Sequence, residues 1–379
     1  MSKLNKIFYG PAGTGKTRRA IEEAVRIVSE SEELGFKFDS NDYDASIRIF
    51  KKSSNSLSLE IPFDYIERIQ KETNLEKILK DIPRKYEISL DEIKDYKQNH
   101  NKYPFIETVT FHPSYSYQDF VEGITVVTKE DNNIEYKVQD GIFKKICDRA
   151  IANEKYNYVL IIDEINRGDI SSIFGELFTL LEDSKRKDEN EEMSINLPYA
   201  KDDKGNPEKL IVPSNLYIVA TMNTVDKSIA LIDVALRRRF DFEECMPKYD
   251  LLEMKKYIDI DLPQLLETLN ERITILKNEN YQIGHSYFLN IDSREKFVEV
   301  MKKSIIPLLQ EYFYDDWKSI CAVLNQSYNT STDNRLFTVN QKNTKLFKSE
   351  FNDLLEYQNK KIFILKETFT IEDIKSIYE

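Results

Sequence analysis

The sequence predicts an α/β protein: a parallel sheet with helices on both faces, followed by a smaller, mainly helical domain. Three observations predict it. A glycine-rich loop, Gly10-Pro11-Ala12-Gly13-Thr14-Gly15-Lys16-Thr17, stands between a short apolar strand and an amphipathic helix. A run of β-branched and aromatic residues from Tyr156 to Ile162 ends on the acidic pair Asp163-Glu164. A third run, Leu216 to Met222, ends on Asn223. Apolar strands of this kind, separated by helical periodicity, belong to open α/β sheets, whose ligands gather at the C-terminal strand ends.

The loop matches G-x-x-x-x-G-K-[ST], the phosphate-binding P-loop. Leu4, Ile7, Phe8 and Tyr9 supply the strand before it, and Ala20, Ile21, Ala24, Val25 and Val28 recur at helical spacing after it. Residues 10–17 are therefore the candidate nucleotide-binding set. The glycines let backbone N–H groups wrap closely around phosphate oxygens, and the following helix N-terminus favours negative charge. Lys16 is expected to reach the β- and γ-phosphates and Thr17 to ligate Mg²⁺. At the end of the second strand, Asp163 suits a second Mg²⁺ contact and Glu164 suits activation of the attacking water. Asn223 at the third strand tip is placed to orient that water. Just before a short edge strand at Phe240 to Glu243 stand Arg237, Arg238 and Arg239. An arginine there, with Arg238 and Arg239 the candidates, can neutralise charge developing on a neighbouring subunit's nucleotide.

The predicted organisation is a nucleotide domain over residues 1–247 and a mainly helical domain over 248–379. A polar, charge-rich insertion fills about 29–106, with irregular helical spacing from Tyr65 to Ile82. Two strand pairs with polar turns read as hairpins, at about 124–138 and 195–212. Ile170 to Leu181 carries one amphipathic helical stripe. Beyond Pro247, helical spacing runs over Leu251 to Ile258, Leu262 to Leu276 and Arg294 to Tyr312.

Bulk composition narrows the function classes. The chain has 379 residues and a formal charge of −12, so nucleic acid is not invited by net charge. Three cysteines and three histidines, widely spaced, form neither a disulfide framework nor a metal pattern, which fits a reducing cytoplasm. No apolar run of about 18 residues predicts a membrane span, and the first residues lack the apolar core of a secretory leader.

Several longer strings resemble the McrB family of AAA+ NTPases: Phe111 to Tyr117 with Asp119 to Gly123, Asp163-Glu164-Ile165-Asn166-Arg167-Gly168, Met222-Asn223-Thr224-Val225-Asp226-Lys227-Ser228, Leu236 to Phe240, and Ile283-Gly284-His285-Ser286-Tyr287-Phe288. The similarity covers about 4–20 and 107–290. Lys227 departs from it, standing where the family usually carries Arg. The resemblance implies a sheet order of 5-1-4-3-2, a helical lid, hairpins near a central pore, and a ring, a hexamer in that family's pattern. It implies GTP as the preferred substrate, with ATP the alternative, since the residues alone do not choose. It places His285 where a lid approaches the nucleotide, as a contact or a structural histidine. It implies an McrC-like PD-(D/E)xK endonuclease as partner, with DNA held mainly by other domains or chains. An ATP-dependent remodelling chaperone of the MoxR branch is the alternative function.

Overall fold

The computed structural model describes residues 4–29, 34–41, 44–51, 56–62, 105–128, 134–225, 234–252, 260–329, 334–341 and 361–379. The chain divides into two compact units: residues 1–9 with 16–244, and residues 10–15 with 245–379.

In the first unit, β1 (Asn5–Gly10) precedes the glycine loop and α1 (Lys16–Ser29) follows it. Ala20, Ile21, Ala24, Val25 and Val28 are buried, as the helical spacing demands. The insertion then holds β2 (Leu34–Asn41), β3 (Asp44–Lys51) and β4 (Ser56–Pro62), a separate antiparallel sheet in the order β2-β3-β4. The sequence predicts no strand there; the stretch from Tyr65 to Ile82 lies outside the described residues. Next come β5 (Ile106–Thr110), α2 (Tyr117–Phe120), β6 (Glu122–Thr128), β7 (Ile134–Asp140), α3 (Ile142–Ala152) and β8 (Tyr158–Asp163). The expected single helix over Ile170 to Leu181 is two short ones, α4 (Ile170–Phe174) and α5 (Leu177–Leu180). Gly175, at φ 50 and ψ −132, ends the first, a conformation no helix continues through. The unit closes with β9 (Ile195–Lys201), β10 (Pro207–Leu210), β11 (Leu216–Asn223), α6 (Val234–Arg239) and β12 (Asp241–Glu244).

Five of these strands form the central sheet, in the order β12-β1-β11-β8-β5. Numbered by their own succession along the chain, that is 5-1-4-3-2. The registers are parallel: Lys6 opposite Asp241, Ile218 opposite Leu160, Val109 opposite Ile162. Tyr158 to Ile162 are all fully buried, which is why β8 reads as a continuous apolar run. The order sets the C-terminal ends of β8 and β11 side by side, next to α1.

Outside the sheet, β6–β7 and β9–β10 are antiparallel pairs fastened to each other. Glu122 is fully buried, and its carboxylate accepts from the backbone N–H groups of Tyr199 (2.7 Å) and Ala200 (3.0 Å) in β9. Lys144 of α3 reaches Asp140 (2.7 Å) at the end of β7 and Glu208 (3.0 Å) in β10. Beyond this clasp, Ile124 stands opposite Val138, Val126 opposite Tyr136, and Ile134 opposite Thr128. The five apolar side chains of that ladder are between 44% and 72% exposed.

In the second unit, α7 (Leu262–Leu276) starts at Asp261, whose carboxylate caps Gln264 N–H at 3.0 Å. Its buried stripe is Leu262, Leu265, Leu266, Leu269 and Ile273. The predicted helix from Arg294 to Tyr312 is α8 (Arg294–Val300), a π-helical turn (Met301–Ile305) and α9 (Ile306–Phe313). The widened turn comes directly before Pro307, which has no N–H for the regular ladder. Then follow α10 (Trp317–Val323), the antiparallel pair β13 (Phe337–Gln341) and β14 (Lys361–Leu365), and α11 (Ile371–Lys375). Trp317 stacks on Phe363 at 4.8 Å between ring centroids. No described helix is long and apolar enough to cross a membrane.

Candidate functional site

Gly13 (φ 75) and Gly15 (φ 78) take left-handed backbone conformations, which turn successive loop amides inward without a Cβ in the way. Thr14 braces the turn from inside, its hydroxyl donating to the Pro11 carbonyl at 3.0 Å. Residues 10–15 cluster with the second unit, and the contacts there are direct. Gly284 N–H donates to the Ala12 carbonyl (3.0 Å) and Ser286 N–H to the Gly13 carbonyl (3.1 Å). A Cβ on Gly284 would stand 1.9 Å from the Gly13 carbonyl carbon, so this approach requires glycine. Asn270 of α7 holds the same segment from behind: its side chain accepts from Ile283 N–H (2.6 Å) and donates to the Ile283 carbonyl (3.0 Å). His285 is buried, and its Nδ1 accepts from Lys248 N–H at 3.1 Å. A ring nitrogen that accepts is unprotonated, so the neutral ring carries its proton on Nε2, which lies 3.8 Å from where a Cβ on Gly15 would stand.

In the first unit, Lys16 and Thr17 open α1, whose first-turn amides have no partner within the helix. Thr17 Oγ1 donates to Asp163 Oδ1 at 3.1 Å. Thr221, inside β11, ties the acidic pair together: its hydroxyl donates to Asp163 Oδ1 (2.5 Å) and accepts from Glu164 N–H (3.0 Å). Glu164 itself is left-handed, φ 54 and ψ 46, an uncommon conformation for a non-glycine residue and one that concentrates at functional sites. It turns the Glu164 side chain off the line of β8, where Arg167 Nε lies 3.4 Å from its carboxylate. Asn166 is buried, and its amide donates to the Asn223 carbonyl at 2.9 Å, joining the tips of the two strands. The Asn223 side chain accepts from Val225 N–H at 3.4 Å. Among the described residues no cluster of three or more His, Cys, Asp or Glu could hold a metal by itself. A hydroxyl beside a carboxylate, as at Thr17 and Asp163, is the oxygen chemistry that Mg²⁺ accepts alongside phosphate and water.

The three arginines differ. Arg237 lies over the Phe242 ring at 5.3 Å. Arg239 is mostly buried, ion-paired to Glu182 at 2.6 Å and seated over Phe178 at 5.2 Å. Arg238 is exposed and makes no hydrogen bond or ion pair among the described residues. Lys227 lies outside the described residues.

Two family models match the chain: residues 103–240 match the AAA domain (dynein-related subfamily), and residues 261–321 match the McrB alpha-helical lid domain. A curated relative, the type IV methyl-directed restriction enzyme EcoKMcrB subunit of Escherichia coli K12, is 35% identical over 229 residues, 56% of this chain and 48% of that protein. The type II restriction enzyme BsuMI component YdiS of Bacillus subtilis 168 is 30% identical over 179 residues, 41% of this chain and 50% of that protein. The chain is similar to McrB-type AAA+ proteins over these residues. It spans about half the length of the curated relatives it matches.

In this McrB-like chain, the structure brings Thr17, Asp163 and Glu164 together through Thr221, and joins the Asn223 strand tip to them through Asn166. Gly10 to Gly15 and His285 meet in the second unit. Sequence reasoning passed over Thr221, whose signal was a lone hydroxyl in the otherwise apolar end of β11. It also passed over Arg167 and Asn166, quoted only as part of a family string.

Proposed function

We propose that the chain is the nucleoside-triphosphate-hydrolysing motor of a restriction system, with GTP preferred. The observation that carries the chemistry is the Thr17–Asp163–Thr221–Glu164 constellation at the adjoining ends of α1, β8 and β11. Backbone N–H groups of residues 10–15 and Lys16 would hold the phosphates, and Thr17 and Asp163 would hold Mg²⁺. When bound, Mg²⁺ neutralises charge on the β- and γ-phosphate oxygens. Glu164 takes the proton from the attacking water. Asn223 orients the water, and its strand tip is held in place by Asn166. Arg238, exposed at the end of α6, acts on the nucleotide of the adjacent copy in a hexameric ring. His285, with its proton on Nε2, offers a donor beside the loop.

GTP preference rests on the resemblance to McrB-type proteins, as does a nuclease partner. The exposed ladder of Ile124, Val126, Ile134, Tyr136 and Val138 is the surface such a partner would cover, and DNA would be held mainly by other domains or chains. The deciding experiment is Glu164→Gln. It should bind nucleotide with near-normal affinity and turn over at least about 10²-fold more slowly. Wild-type turnover in that variant would remove Glu164 from the mechanism. Competition of ATP against GTP in the same assay tests the base preference, and light scattering with a GTP analogue tests the ring.

A further inference from the structure

The arginine cluster is anchored to the start of β1 by a buried polar network that phosphate chemistry alone does not require. Asn5 is fully buried, and its amide nitrogen donates to two carbonyls, Leu181 at 2.8 Å and Arg239 at 3.0 Å. Its amide oxygen accepts from Arg186 Nη2 at 2.8 Å. Arg186 is also fully buried, and Nη1 donates to the carbonyls of Pro213 (3.2 Å) and Leu216 (2.9 Å). Burial lowers the Arg186 pKa to about 10, still charged at neutral pH. The network therefore joins the first residues of β1 and β11 to the last residue of α6. From the other side, Glu182 and Phe178 hold the Arg239 guanidinium. The next residue, Phe240, is buried, and Asp241 enters the parallel register with β1.

We infer that Asn5, Arg186 and Glu182 are positioning residues for Arg238. They fix the carbonyl and the side chain of Arg239, and so fix the direction of the residue before it. Successive side chains at a helix end point about 100° apart. With Arg239 turned inward onto Glu182, Arg238 is turned outward to solvent. On this basis Arg239 acts through its neighbour, and Arg238 alone reaches the adjoining copy. The inference rests on the proposed action of Arg238 across a subunit interface.

The test uses full-length chains in mixed assemblies. Glu182→Gln keeps the side-chain shape and removes the charge that holds Arg239. Alone it should lower kcat at least about tenfold, a fraction of what an arginine finger contributes. KM and ring size should not change. Mixing it with Glu164→Gln, which turns over at least about 10²-fold more slowly but presents an intact Arg238, should restore turnover per Glu182→Gln active site. A purely structural defect would stay with its own subunit and would not be restored. Arg238→Ala mixed with Glu164→Gln is the reference. If Arg238→Ala is restored while Glu182→Gln is not, or if Glu182→Gln alone turns over at the wild-type rate, the positioning role is overturned. If Arg238→Ala is not restored, the cross-subunit role of Arg238 fails first and the inference goes with it. Should Glu182→Gln not fold, Phe178→Leu, which removes only the ring beneath the guanidinium, is read by the same criteria.

Discussion

Replacing Gly284 with alanine should damage nucleotide binding from a position that bears no functional group. The added methyl would stand 1.9 Å and 2.0 Å from the Gly13 carbonyl carbon and oxygen, and 2.5 Å from Thr14 N. Ordinary contact begins near 3.4 Å, so a shift of more than 1 Å is needed, as a rough difference of those distances. All three obstacles are backbone atoms, and no rotamer change relieves them. Moving the segment away would stretch the Gly284–Ala12 and Ser286–Gly13 hydrogen bonds, now 3.0 Å and 3.1 Å. Two such bonds contribute about 1 kcal/mol each, and overpacking adds about 1–3 kcal/mol. A total near 3 kcal/mol that fell wholly on the loop would weaken Kd roughly a hundredfold. Titration with a fluorescent nucleotide measures it directly, with Ser286→Ala as the control because it keeps the backbone N–H. If Gly284→Ala binds within about twofold of wild type, the loop does not depend on this contact and the account of it is wrong.

Glu122→Gln should leave one of the Tyr199 and Ala200 amides facing a donor in a buried site, lowering stability by about 1–3 kcal/mol. Thermal melting and faster amide exchange at those two residues would report it; unchanged exchange would count against the clasp. Acid should weaken the start of the first unit through Glu23, whose pKa is lowered to about 2 chiefly by its hydrogen bond from Arg26, with Lys6 adding to it against the opposing effect of burial. A carboxylate with a depressed folded pKa stabilises above its unfolded value and loses that contribution as pH falls toward the folded one. The stability gap between wild type and Glu23→Gln should therefore be full above about pH 5 and shrink by about pH 3; a gap independent of pH would refute the ion pairing. Asn270→Ala removes both bonds to the Ile283 backbone and should raise KM for nucleotide more than it lowers kcat, which steady-state kinetics would separate.

The buried strands and the acidic pair were legible because parallel strands buried on both faces leave continuous apolar runs, whereas the strand order came only from the family resemblance. Tyr158 to Ile162 is such a run, and its end marks a ligand edge by the topology of the sheet alone. The glycine loop was legible for a similar reason: its residue types are demanded by backbone geometry, as Gly13 and Gly15 show. The insertion sheet was missed although Phe36 and Phe38, Ile47 and Ile49, and Leu57, Leu59 and Ile61 alternate at the strand period. The polar residues between them concealed the pattern. The different surroundings of the three adjacent arginines could not be read from their own stretch of sequence. They depend on Glu182, Phe178 and Asn5, which are remote in sequence and carry no local signal. The break at Gly175 shows the same limit, since the apolar stripe of Ile170 to Leu181 runs on across a residue whose backbone does not.

The clasp between the two hairpins makes them a single transplantable part. Glu122 belongs to one strand pair and the amides it binds to the other, while Lys144 joins both to the helix behind them. A hairpin exchanged alone from a relative would arrive without its counterpart, leaving a buried carboxylate facing the wrong backbone. Chimeras built by swapping both segments together with α3 should fold where single swaps do not. The same coupling means that lengthening or shortening either hairpin is tolerated only beyond the clasp, toward the tips, so variation in reach can accumulate there while the base stays fixed.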